Sequence, residues 1–99
     1  IADARTLDAA GASLLVLESI PARLAAEVSD SLQIPTIGIG AGLDCDGQVL
    51  VLNDLLGLTA RPPRFAKDFM AGASSIKDAV ARYVISVRNG EFPAPEHCF

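Results

Sequence analysis

The sequence predicts an α/β fold built on a parallel sheet, and three observations carry that expectation. Short apolar runs of strand length alternate with longer stretches in which apolar residues recur at helical spacing. The short runs are apolar almost throughout, as in strands covered on both faces. Composition agrees: 51% of the residues are hydrophobic and only 5% aromatic. Ala, Leu, Val and Ile are therefore expected to fill the interior, which favours helices packed on buried strands over an aromatic-rich sandwich.

The elements follow in order. Residues 2–10 read as the end of a helix, with Leu7 and Ala10 on one side and Gly11 as its stop. Ser13–Leu17 (SLLVL) is the first buried strand. Pro21 suits a first helical turn, and Ala22–Leu32 places Leu24, Ala25, Val28 and Leu32 at helical spacing. Ile34-Pro35 closes that helix, because the residue before a proline is steered away from helical geometry. Thr36–Ile39 (TIGI) is the second strand, running into Gly40-Ala41-Gly42. Gln48–Leu52 (QVLVL) is expected as a third strand and Asn53–Leu56 as one helical turn. Arg61–Arg64 carries two prolines and reads as loop. Ser74 or Ser75 is positioned to cap a long amphipathic helix reaching about Asn89, with Ile76, Val80, Tyr83, Val84 and Val87 on its apolar face. Gly90 ends it, and Glu91–Phe99 is a proline-containing tail.

Two features resist a self-contained fold. Gly40–Gly47 is shorter than the dozen or so residues that usually join neighbouring parallel strands. The third strand is therefore expected to be short, irregular or differently paired. Three strands also cannot close a barrel. Residue 1 is Ile rather than Met, and the expectation is a longer polypeptide whose remaining strands lie in a preceding segment.

Charge and composition exclude several classes. The net charge of -4 is spread along the chain with no basic run, so no groove for nucleic-acid phosphates is expected. No apolar stretch approaches the ~20 residues of a membrane helix, and no secretory leader pattern is visible. A cytoplasmic location is expected. Cys45 and Cys98 match no metal-ligand spacing and read as two free thiols.

Glu18 is the most informative residue. It ends the SLLVL run, and ligand sites in α/β folds gather at the carboxyl ends of parallel strands. A carboxylate held there against apolar neighbours loses water, which moves its pKa toward the range of a general base. A Glu that caps the following helix or pairs with a surface Arg fits the same position. Gly38, Gly40 and Gly42 form G-I-G-A-G at the end of the second strand. Their backbone could approach a ligand, but Leu43 stands where a dinucleotide site needs its third glycine, and close packing explains them as well. Gly40 is kept as a substrate-binding candidate. Asp44 and Asp46 flank Cys45 in a loop with too few oxygen ligands for calcium, so turn formation is the better reading. Asp54 follows the third strand and is placed for the same rim as Glu18, with Asn53 sharing its turn. His97 reads as an exposed or structurally bonded tail residue, and Arg61, Arg64 and Lys67 as a solvated basic cluster.

Six segments, in order and in register, resemble the C-terminal region of the ketopantoate hydroxymethyltransferase family. They are AAGASLLVLESIP (Ala9–Pro21), IPTIGIGAG (Ile34–Gly42), CDGQVLV (Cys45–Val51), NDLLGL (Asn53–Leu58), PRFAK (Pro63–Lys67) and FPAPEHCF (Phe92–Phe99). The resemblance implies that residues 1–99 are the last three strands and their helices of a (β/α)8 TIM barrel, the N-terminal part of that single domain lying outside this chain. It implies transfer of a one-carbon unit from methylene-tetrahydrofolate to 3-methyl-2-oxobutanoate (α-ketoisovalerate), giving 2-dehydropantoate for pantothenate and coenzyme A synthesis. Glu18 matches the proton acceptor in the family's L-V-L-E-x-x-P motif. The family uses Mg2+ to chelate the keto acid, with ligands expected in the N-terminal part, so no metal ligand is assigned here. The resemblance also implies a homo-oligomer. Asn53 stands where many members have His, and Cys98 where Ser is common. Two other readings stay open from sequence: a catalytically silent partial barrel acting as a structural or interaction module, and another enolate-forming barrel enzyme.

Overall fold

A computed structural model describes residues 1–99. The order is α1 (Ala2–Ala9), β1 (Leu15–Glu18), α2 (Ala22–Ser31), β2 (Thr36–Ile39), β3 (Gly47–Gln48), α3 (Leu52–Leu55), α4 (Ile76–Arg88) and a 3₁₀ turn at Pro95–His97. The strands form one parallel sheet in the order β1-β2-β3. Leu15 pairs with Thr36 and Glu18 with Ile39, while β3 joins through Ile37–Gly47 and Gly38–Gln48.

Local chemistry sets the element ends. Past α1 the amides of Gly11 and Ala12 donate to the carbonyls of Asp8 and Leu7, and past α4 those of Gly90 and Glu91 donate to Val87 and Ser86. Both helices thus end in the same paired-bond stop. Pro21 stands at the N-cap of α2 with φ -56, and α2 stops before Ile34-Pro35. Ser75 caps α4, its hydroxyl accepting from the Asp78 amide at 3.0 Å.

The third strand departs from the expected Gln48–Leu52. Only Gly47 and Gln48 pair, and Val49 and Val51 are exposed. The Val49 amide still donates to the Gly38 carbonyl at 3.0 Å, after which the chain turns into α3. The short connection is nevertheless parallel. Gly40 and Gly42, at φ 68 and 80, turn the chain, and Asp46 bonds back to Thr36. Gln48 Nε2 donates to the Gly42 carbonyl at 2.8 Å, closing the loop from the other side.

Burial corrects four expectations. β1 is covered on one face only: Leu15 and Leu17 are half-buried, whereas Val16 and Glu18 are exposed. It is the outer strand, with β2 as its sole neighbour. In α1 the inward residue is Ala4, and Leu7 and Ala10 face solvent. The interior is also more aromatic than composition suggests. Leu55, Phe69, Ala79 and Phe92 form the core cluster, packed by Tyr83, Val87 and Leu50. Phe69 meets Tyr83 and Phe92 edge-on, with ring centroids 5.3 and 5.4 Å apart. This cluster draws in Ala79, Tyr83 and Val87 of α4, and leaves Ile76, Val80 and Val84 exposed. A few large rings placed at the contact outweigh many small aliphatic residues.

Candidate functional site

The carboxyl edge of the sheet is formed where β1 and β2 end side by side. Glu18 is paired with Ile39, and the next residue on each strand leaves in left-handed geometry: Ser19 at φ 54 and Gly40 at φ 68. The Ser19 amide donates to the Ile39 carbonyl at 2.9 Å, so the ladder continues one bond beyond Glu18. Three residues then carry the chain into α2.

Glu18 thus stands at the predicted rim, but it is exposed, not desolvated. The open face of β1 is the reason, since Val16 on the same face is 52% exposed. Neither of the plainer roles for Glu18 is realised. No side chain caps α2, and the ion pairs are Arg23–Glu27 and Arg82–Asp78.

Gly40 is buried beneath Phe65. A methyl group built on it would lie 2.8 Å from the ring, so this glycine serves the packing alternative. Phe65 in turn meets Phe99 edge-on at 6.4 Å, and the Arg64 guanidinium lies 5.4 Å above the Phe99 ring. Asp54 is buried in α3, where the Thr59 hydroxyl donates to its Oδ1. That bond fastens the loop after α3 and makes Asp54 a bracing residue. Asn53 is exposed, and its carbonyl accepts from the Leu58 amide at 2.8 Å.

The remaining polar groups are committed locally. Asp46 Oδ2 accepts from the Thr36 amide at 2.7 Å and from its hydroxyl at 3.2 Å, which is the turn-forming role expected of it. Ser29 Oγ lies 2.7 Å from Thr36 Oγ1. Burial pushes the Cys45 thiol pKa up. The Cys98 thiol donates to the Ala94 carbonyl at 3.4 Å, and both cysteines are free, as expected. His97 makes the structural bond expected of a tail histidine: the Ala94 amide donates to its Nδ1 at 3.0 Å, and its ring lies 5.0 Å from that of Phe92. Lys67 sits 5.2 Å over the Phe69 ring.

No three of the His, Cys, Asp and Glu side chains converge on one point. Asp46 is held by Thr36 and Asp54 by Thr59, so neither of these two carboxylates is free to take a magnesium ion. A cleft of about 240 Å³ lies elsewhere, lined by Lys67, Asp68, Phe69, Ala71, Arg82 and Ser86. It includes none of Glu18, Gly40 and Asp54, and Arg82 is turned to Asp78 at 3.1 Å.

Sequence reasoning missed Ser19. Serine carries no preference for left-handed geometry, and the available signal was spatial: a strand ending at Glu18 and a helix opening at Pro21 leave almost no room to turn.

The family model described as ketopantoate hydroxymethyltransferase matches residues 1–95. The chain is 60% identical over 99 residues to the 3-methyl-2-oxobutanoate hydroxymethyltransferase of Thiobacillus denitrificans, covering all of this chain and 38% of that protein. It is 58% identical over 98 residues to the protein of the same name from Burkholderia multivorans, covering 98% of this chain and 36% of that one. The Alkalilimnicola ehrlichii protein of that name is 58% identical over 100 residues, again with 36% of its length covered. The chain therefore spans little more than a third of the curated relatives it matches.

Proposed function

This chain belongs to the ketopantoate hydroxymethyltransferase family, and on that footing we propose that it is the C-terminal part of an enzyme that hydroxymethylates 3-methyl-2-oxobutanoate. Residues 1–99 supply the last three strands of a (β/α)8 barrel, and Glu18 is the proton acceptor. The parallel order β1-β2-β3 and the unpaired outer edge of β1 support this reading. A parallel sheet needs cover on both faces, and further βα units on that edge would cover Val16 and Glu18.

The observation that carries the proposal is the place of Glu18 at the strand's carboxyl end, level with Ile39. Catalytic groups of such barrels come from that edge. A C–H beside a ketone is weakly acidic, so its removal needs a placed base. The Glu18 carboxylate takes the proton from C3 of the keto acid, and the electron pair moves to the keto oxygen as an enolate. C3 then bonds to the methylene carbon donated by methylene-tetrahydrofolate. Both bonds from that carbon to the folate nitrogens are broken, water supplies the hydroxyl oxygen of 2-dehydropantoate, and the two nitrogens take up the proton carried by Glu18 and one proton from the water. The resemblance implies a magnesium ion that would stabilise the enolate; no residue here is assigned to it. The intact protein is taken to be a cytoplasmic homo-oligomer.

The exposure of Glu18 favours a second reading for residues 1–99 alone: an inactive partial barrel. Only 16 of the 99 residues are buried, so the isolated chain leaves much apolar surface open.

The test is a chimera in which residues 1–99 replace the matching segment of the Thiobacillus denitrificans protein. Deuterium exchange at C3 of 3-methyl-2-oxobutanoate, followed by proton NMR, is expected in the chimera. It should fall by about 10² or more in Glu18→Gln. Normal exchange in that variant removes Glu18 from the mechanism. A folded chimera with neither exchange nor turnover sinks the assignment of this segment.

A further inference from the structure

Ser19 is the only non-glycine residue with positive φ, at 54, and it follows Glu18 directly. It is not a frayed end. Its amide is held by the Ile39 carbonyl at 2.9 Å, and Pro21 opens α2 two residues later. The chain is therefore turned left-handed while still attached to β2.

The neighbouring strand makes the same move at the same level. Glu18 pairs with Ile39, and Gly40, the residue after Ile39, has φ 68. Glycine adopts that geometry without a side-chain clash, whereas serine does not. Ser19 is exposed, so no burial of its side chain offsets the strain. Strained backbone persists where its surroundings determine it, and it gathers at functional sites.

The Glu18 carboxylate supplies the other half of the argument. It is exposed and belongs to neither ion pair of the chain. What the structure fixes around it is backbone: the β1–β2 ladder through Glu18 and the left-handed turn at the next residue. An extended residue at 19 would carry the chain straight past the end of β2 and displace the turn that leads from Glu18 into α2.

We propose that Ser19 is a positioning residue for Glu18, its left-handed backbone ending β1 so that the carboxylate is aimed over the sheet's carboxyl edge. This rests on Glu18 being the proton acceptor. Ser19 acts through backbone geometry, and its hydroxyl is dispensable.

The chimera described above provides the test. Asn tolerates left-handed geometry; Val, branched at Cβ, resists it. In C3 exchange, Ser19→Asn should keep kcat within about threefold of the parent, while Ser19→Val should lose about tenfold or more with KM within about twofold. A folded Ser19→Val protein with unchanged kcat overturns the proposal, as does a loss in Ser19→Asn equal to that in Ser19→Val. If Ser19→Val does not fold, Ser19→Thr replaces it, since Thr is branched at Cβ and keeps the hydroxyl. A loss of about tenfold or more is again expected, and an unchanged kcat is fatal. Glu18→Gln separates the two ideas. Exchange surviving in that variant sinks the reading of Glu18 and this proposal with it. Exchange lost there but untouched by Ser19→Val sinks this proposal alone.

Discussion

Asp46 reaches back ten residues to Thr36, its Oδ2 accepting from the amide at 2.7 Å and from the hydroxyl at 3.2 Å. The Asp46 amide returns the contact to Thr36 Oγ1 at 3.3 Å. Thr36 is fully buried at the start of β2, so its amide has no water to fall back on. Asp46→Ala should therefore destabilise the chain by about 2–3 kcal/mol, the penalty of a stranded buried donor plus a lost charge-assisted bond. Urea unfolding measures it, and a change below about 0.5 kcal/mol would show that the brace contributes little.

Gly40 and Phe65 form a coupled pair. Gly40→Ala adds both left-handed strain and a clash with the ring 2.8 Å away. The expected loss is about 2–4 kcal/mol. In a Phe65→Leu background the clash component should shrink, leaving mainly the backbone cost. A double-mutant cycle reads that difference as a non-additive interaction.

Burial lowers the His97 pKa, with Lys67 acting in the same direction and Glu96 against it. The neutral ring is also the form that accepts from the Ala94 amide. Because the folded value lies below the unfolded one of about 6.5, this stability is present above that pH and is lost as pH falls through the folded value. Thermal melts from pH 7.5 down to about 5 should show the decline. The slope should flatten in His97→Asn.

Tyr83 carries a buried hydroxyl with no partner. Tyr83→Phe should accordingly be neutral or stabilise the chain by about 1 kcal/mol. Burial also raises the Tyr83 pKa. The unfolded chain then loses its proton first as pH rises past about 10, and stability declines with further rise. That decline should be weaker in Tyr83→Phe, which a comparison of alkaline melts would check.

What was legible in the sequence was mostly local. Gly11, Pro21, Pro35, Ser75 and Gly90 each act within a few residues, and each marks an element end in the structure. Thr36–Ile39 was bounded by Pro35 and Gly40 and is found as read. Six segments in register were enough to identify the family. The rest depended on partners distant in sequence. QVLVL looks alike whether it pairs or faces solvent, and only Gly47 and Gln48 find β2. The position of Glu18 was readable, but its hydration depends on what covers β1, which no window around residue 18 contains. Gly40 follows β2 at the rim as read, but its packing partner Phe65 and the Thr59 that holds Asp54 come from loops whose paths carry no periodic signal.

The short link between β2 and β3 also bears on how the sheet assembles. Ile37 meets Gly47 after a loop of modest length, whereas Leu15 must find Thr36 across roughly twice that span, with α2 in between. Chain entropy favours the smaller closure. The β2–β3 corner therefore closes at a chain-entropy cost about 0.6 kcal/mol smaller than that of bringing β1 to β2.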